Sequence, residues 1–452
     1  MPLSTYEFAE VAKDEKNARE LPFVYTPHPV ISMSDDVLYS YLVGEDPATG
    51  NKVVAEIINT LTKSVNGHKP DEAIEAVRSG ELGLFLEADT EDNLQRTFYE
   101  RGWTDGLPII IPTEERVNAM LAGTSATPDE VVGEYYRFDI KGMVKFTVRN
   151  VAIIAVMAGA RPEHFPVILA VAATRQQAIM PSTTNFSPML LINGPIRNEI
   201  DINCGIGAFS PVTLANSVIG RAWTLMSTCW GYMKPRKNLW SSLGSNLTYN
   251  NMCAGENEER SVWEPFHVQH GFKAEESIVS VFRGWIISNS AGAAANRPIG
   301  EEVALQMAAI PASYTQGAVI MDPLVAKTLK ETDGFATKQD FSKWLSDNIR
   351  IPAGQYWGYD HVDWLITPLA NEGKEPYSSW KKLPDDALIN PYCDPDKISI
   401  VVIGGETSPL WYASDFGYSG SQSIDRWRSL DSLGECADGS CGVPDDMIEY
   451  DD

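Results

Sequence analysis

Four short apolar runs set the frame of this chain: Met189–Ile192, Ser277–Phe282, Ala318–Met321 and Ile398–Ile403. Each is shorter than a stable helix, and two end in Asn193-Gly194-Pro195 and Gly404-Gly405, so all four read as buried strands. Between them, Leu214–Ser227, Pro323–Glu331 and Lys338–Asn348 carry helical patterns. Upstream, Val148–Ala158 and Pro166–Thr174 are apolar enough to be buried helices, separated by the polar segment Gly159–Phe165. Short strands alternating with helices predict an α/β core with a largely parallel sheet.

Residues 1–95 are more polar and read as an N-terminal helical extension, with pieces at Asp35–Leu42, Val53–Val65 and Asp71–Ser79. Residues 96–430 form the α/β core, long enough for two subdomains, and 431–452 an acidic cysteine-containing C-terminal tail. Thr113 followed by Glu114 and Glu115 predicts a helix start. Thr127-Pro-Asp-Glu130 predicts another, with Pro at the first helical position and Glu completing a capping box.

Composition narrows the setting. The 452 residues hold 36 basic and 61 acidic side chains, a net charge of −25, which repels nucleic acid and anionic lipid. The first twenty residues mix charges without an apolar run, unlike a signal peptide. The stretch Val151–Ala160 is about half the length a bilayer crossing needs. Six cysteines, four of them scattered singly, do not make a secreted disulfide framework. A cytoplasmic protein acting on a small molecule is the expectation, without nucleic-acid or membrane partners. A Trp-rich acidic chain with a long extension also suits a homo-oligomer.

Candidate chemistry gathers in the middle of the chain. Cys204-Gly205-Ile-Gly207 precedes a helix, where small residues let backbone N–H groups approach an anion, so Gly205 and Gly207 are candidate substrate-binding residues. A plain structural turn is the competing reading. Downstream, Glu256-Asn-Glu258-Glu259 is followed by Trp263-Glu264-Pro-Phe-His267-Val-Gln-His270. On a helical turn His267 and His270 share a face, and with Glu264 would offer a divalent metal ion three ligands. Glu258, Glu259 and His267 are also candidates for metal-free acid–base catalysis, with structural polar residues as the competing reading, and the spacing matches no standard zinc motif. His164 (catalytic), Arg161 and Asp105 (substrate-binding) are further candidates, in polar segments that serve as turns as readily as sites.

In the tail, Cys436 and Cys441 flank Asp438, Gly439 and Ser440. A disulfide here would close so small a ring that it stabilises by about 2 kcal/mol at best. A reversible dithiol, a soft-metal ligand pair and two inert thiols are the readings left. The surrounding carboxylates raise thiol pKa values, which disfavours a permanently activated thiolate.

Several blocks, in order, resemble a family of bacterial proteins: Gly102-Trp-Thr-Asp-Gly-Leu-Pro108, Pro162-Glu-His-Phe-Pro166, Ile192-Asn-Gly-Pro195, Ala215–Ala222 and Glu256-Asn-Glu-Glu259 with Trp263-Glu-Pro265. Members of that family look like partners of small proteins with a Sec/Cys-Gly-Ser-Cys motif. The resemblance implies thiol- or selenol-linked chemistry and such a partner. Together these readings lead to an enzyme or catalytic subunit (lyase, hydrolase or thiol-linked oxidoreductase) acting on a small polar or anionic substrate. The alternative is a non-catalytic metal- or thiol-handling protein working through its cysteine pair.

Overall fold

The structure, a computed structural model, describes residues 23–27, 33–62, 86–137, 142–235, 238–239, 241–290, 292 and 297–429. The pair Cys436 and Cys441, and the helix expected at 71–79, lie outside them. In chain order the strands are β1 (Val131–Arg137), β2 (Gly142–Thr147), β3 (Ser187–Asn193), β4 (Ala254–Gly255), β5 (Ile278–Gly284), β6 (Ile287–Asn289), β7 (Gly317–Met321), β8 (Ile351–Pro352), β9 (Leu388–Ile389), β10 (Ile398–Val402), β11 (Trp411–Ser414) and β12 (Gly417–Ser423). Two four-stranded sheets dominate, ordered β12-β5-β3-β4 and β10-β7-β11-β6.

The sheet is not largely parallel. In these two sheets only β10 with β7 and the two-residue β3–β4 pairing are parallel; β5 runs antiparallel to β3 and β12, and β11 antiparallel to β7 and β6. The apolar runs misled because continuous hydrophobicity reports burial of both faces, which crossover helices are not the only way to achieve. Here alternate residues face a helical layer and the other sheet. Leu190 and Ile192 of β3 pack with the helices Val148–Ala158, Phe165–Ala173 and Leu214–Cys229. Met189 and Leu191 pack instead with Ala318, Ile320 and Val401 of the second sheet. Val319 and Met321 turn outward to the helices Ile299–Ala308, Pro323–Glu331 and Lys338–Asn348. The result is four layers, with helices outside and two sheets face to face.

Local signals explain several helix starts. The Thr113 hydroxyl accepts from Arg116 N–H, and Thr147 and Thr337 close capping boxes with Asn150 and Asp340. Thr127-Pro-Asp-Glu130 starts no helix. It is a turn into β1, and its Glu130 and Pro128 carbonyls accept from Val148 and Arg149 N–H, so it braces the beginning of the next helix. The extension supplies helices at Asp35–Val43 and Val53–Thr62. No helix among the described residues is long and apolar enough to cross a membrane.

Two corners carry the chain between the sheets, from β5 to β6 and from β11 to β12. Asp415 ties them together: its Oδ1 accepts from Trp285 N–H at 2.9 Å and Ile286 N–H at 2.8 Å. Its Oδ2 is buried without a partner, and burial pushes the carboxyl up from 3.8 to about 6. The unfolded chain therefore releases this proton at lower pH than the folded protein. This group's contribution should fall as pH rises from about 4 to about 6 and stay level above, by on the order of 3 kcal/mol. Urea unfolding of wild type and Asp415→Asn across that range checks it. The difference between the two should shift in the variant's favour as pH rises, and a pH-independent difference would refute the assignment.

Candidate active site

The turn after β3 begins the site. Gly194 has φ of +84°, and a Cβ there would lie 2.1 Å from the Glu276 carbonyl oxygen, so only glycine fits both the backbone and the space. The turn sets Asn193 and Arg197 against the segment Ala254–Glu259. That segment pairs with β3 through β4 on one side, while Asn257 N–H reaches the Val402 carbonyl of β10 on the other. Glu256, Glu258 and Glu259 are thus held at the seam between the two sheets.

Glu256 is wholly buried. Its Oε1 takes the Lys338 ammonium at 2.5 Å and Val402 N–H at 3.4 Å; its Oε2 takes Asn193 Nδ2 at 2.7 Å and Phe266 N–H at 2.6 Å. Lys338 opens a helix, an end where the dipole disfavours a cation, so the pairing with Glu256 rather than helix electrostatics accounts for its place. Arg197, 3% exposed, donates to the Gly194 and Glu256 carbonyls and to both oxygens of Glu259, and sits 3.0 Å from Glu258 Oε2. The Arg197 hydrogen bond holds the half-exposed Glu259 carboxyl down at about 2.

Glu258 differs from its neighbours. Its Oε1 accepts from Asn193 Nδ2 and Gly194 N–H, both at 2.8 Å, and lies 3.9 Å from His267 Nδ1. His267 is fully buried, and neither ring nitrogen has a hydrogen-bond partner. Asn193 Oδ1 is likewise buried and unpartnered. Three carboxylates against Arg197 and Lys338 leave the cluster one acidic charge in excess, with acceptors to spare.

The structure therefore brings together Glu258, Glu259 and His267, but disperses the other sequence candidates. His270 is exposed; its Nδ1 engages the Phe266 carbonyl at 2.8 Å and its ring lies against Phe266 and Tyr418. Glu264 is exposed, and no group of three or more His, Cys, Asp or Glu among the described residues is placed to hold a metal ion. His270 caps a four-residue helix and is exposed whereas His267 is wholly buried, so the expected convergence of the two on one ion does not form. His164 accepts Arg161 N–H at Nδ1 and closes the turn before the helix Phe165–Ala173; burial lowers its pKa. Arg161 is exposed, its nearest acid Glu163 3.9 Å away.

Asp105 is a clasp: it accepts from Arg221 Nε at 2.8 Å and Nη2 at 3.0 Å, fastening its segment to the helix Leu214–Cys229. Gly205 and Gly207 edge a crevice of about 190 Å³ shared with Asp322, Gly404 and Gly405. Gly205 N–H is taken by Asn203 and the Ala208 and Ser210 N–H groups fold back on the loop, so the crevice offers an anion little and presents it with the Asp322 carboxylate. Cys204, beside Arg197, has its thiol pushed up by burial; Cys229 and Cys253 are pushed up to about 12. None of these three is a ready thiolate.

Sequence reasoning missed Asn193, Arg197 and Lys338. Asn193-Gly194 reads as a turn and Lys338 as a helix residue; only the partners, 59 to 82 residues away, give them roles. The Glu256–Lys338 pair yields a direct test. Lys338→Met strands a buried carboxylate and should cost about 3–5 kcal/mol in urea unfolding, and the double variant with Glu256→Gln should recover at least half. A single-variant cost below about 1 kcal/mol would mean that the pair does not hold the seam.

No protein-family model, curated protein or solved structure matches this chain, so its function has to be read from the geometry.

Proposed function

We propose that the protein is an enzyme that transforms a small polar molecule by proton transfer at Glu258, with His267 as the proton partner behind it. The observation that carries this reading is His267: a wholly enclosed imidazole with both nitrogens unpaired, in a network where nearly every neighbour is satisfied. An unmade hydrogen bond on a buried polar group costs about 1–3 kcal/mol, and His267 holds no other element in place through its ring. Glu258 is the more accessible member, at 13% exposure, next in sequence to the half-exposed Glu259. The separation of 3.9 Å is long for a hydrogen bond, as acid–base pairs commonly are before substrate closes them.

The chemistry supported is proton abstraction or water activation, within the lyase and hydrolase classes. The excess carboxylate and the half-exposed Glu259 favour a substrate that carries hydrogen-bond donors. Thiol-linked steps find no activated cysteine among Cys204, Cys229, Cys253 and the exposed Cys393, whose thiol burial also pushes up, and would rest on Cys436 and Cys441.

Proton abstraction leaves a mark even without net turnover. A panel of amino acids, hydroxy acids, amines and amides incubated with the protein in D2O should show one member consumed or deuterated, by NMR. Glu258→Gln should slow that reaction by at least about 100-fold, and His267→Gln should change its pH profile as well as its rate. Retention of the full rate in Glu258→Gln, or a panel wholly inert, would reject the reading.

A further inference from the structure

The cavity that opens beside the Asp105 clasp has a volume of about 650 Å³, within the range of small-molecule sites. Its walls include Met180, Phe186, Met233 and Leu239, and the hydroxyl-bearing Thr224 and Thr228 from the helix Leu214–Cys229. Those hydroxyls spend their protons inside the protein, on the Thr248 and Leu225 carbonyls, so the face they lend the cavity is largely methyl. Asp105, Lys234, Ser241 and Asn246 make other parts of the wall polar, so it is the side formed by Met180, Phe186, Met233 and Leu239 that favours an apolar, ring-sized body.

Immediately behind that wall stands Arg283, near the end of β5. Its Nη1 donates to the Met180 thioether at 2.7 Å, a poor acceptor, its Nη2 donates to the Gln177 carbonyl, and its Nε is buried with no partner. The guanidinium lies 6.0 Å from the Phe186 ring and 5.8 Å from that of Trp223. No carboxylate among the described residues pairs with it, in a chain with 61 acids against 36 bases. Arg197, by comparison, is given two. Burial lowers the Arg283 pKa to about 10, the mark of a cation held short of compensation. A guanidinium so placed is the usual receptor for a planar oxyanion, which it grips through parallel N–H groups.

We infer that this cavity binds a small organic anion, an aromatic or alicyclic carboxylate whose acid group pairs with Arg283 and whose body packs against Phe186, Met233 and Leu239. Met180 lines the cavity and covers the guanidinium; its unbranched, flexible chain is suited to swing aside and let the carboxylate take the place of the thioether. The site is separate from the Glu258 cluster. Arg283 pairs with Pro188 whereas Ile278 pairs with Asn193, placing the two at opposite ends of β5, about 17 Å apart at strand rise. Failure of the proton-transfer reading would leave this inference standing, and the reverse.

Titration with 1-naphthoate, followed by tryptophan fluorescence and calorimetry, tests it. Wild type should bind one equivalent at least 10-fold more tightly than the neutral 1-naphthamide, and Arg283→Met should erase that preference. A second variant keeps the test sharp if Arg283→Met folds poorly. Met180→Glu supplies the missing carboxylate from within the chain, and should raise the melting temperature and lower 1-naphthoate affinity at least 10-fold. Equal binding of acid and amide, no binding of 1-naphthoate at 10-fold the concentration of any detectable amide binding, or unchanged affinity in Met180→Glu would overturn the inference.

Discussion

One buried carboxylate governs how the two halves of this protein meet. Glu256 has no access to water, so its charge must be answered inside the protein, and four donors from four different places answer it. The Lys338 ammonium fixes the start of a helix on the outer face of the second sheet. Asn193 fixes the end of β3, Phe266 N–H fixes the short helix that carries His267, and Val402 N–H fixes the end of β10. A buried ion pair is a weak source of net stability, yet removing one member is costly, so the arrangement acts mainly as a geometric constraint. Displacing any of the four elements would leave a charge or an amide stranded. The active-site candidates inherit their positions from this requirement, since Asn193 serves Glu256 with one proton and Glu258 with the other.

Charge is placed unevenly across the four layers. At one end of β5, acids outnumber bases around His267; at the other, no carboxylate among the described residues pairs with the Arg283 guanidinium. The sheets between these ends are saturated with Val, Ile, Leu, Met and Phe, and Asp415 is the acid that the inter-sheet corners enclose. An acidic protein has ample means to neutralise Arg283, so its isolation behind a cavity wall contrasts with the care taken over Arg197, one strand's length away. These contrasts carry more functional information than the net charge does.

Much of the framework was legible in the residues. Strands β3, β5, β7 and β10 stand out as apolar runs, and the helices at Glu114–Leu121, Val148–Ala158 and Lys338–Asn348 follow from caps and periodicity. Strand direction was not legible, because an apolar run says only that both faces are covered, and a facing sheet covers a face as well as helices do. The turn Thr127–Glu130 shows the same limit locally: the residues match a capping box, but the chain turns into β1 and its Glu130 and Pro128 carbonyls accept from Val148 and Arg149 N–H. Of the site, Glu258, Glu259 and His267 could be picked out as chemically dense sequence. Asn193, Arg197 and Lys338 could not, since nothing near them in sequence shows which carboxylate they will meet. The same holds for Arg283, which reads as an ordinary residue of a strand.

The Asp105–Arg221 clasp bears on how the Thr104-Asp-Gly-Leu-Pro108 segment is to be understood. Both carboxylate oxygens are engaged by one guanidinium, whose Nη2 also donates to the Pro108 carbonyl, so the segment fastens a loop to a helix at the edge of the cavity of about 650 Å³. Chains sharing these residues would share a scaffold and a cavity edge while remaining free to differ in what the cavity holds. Sorting them by activity would mean looking instead to the residues that face the cavity and to those that surround His267.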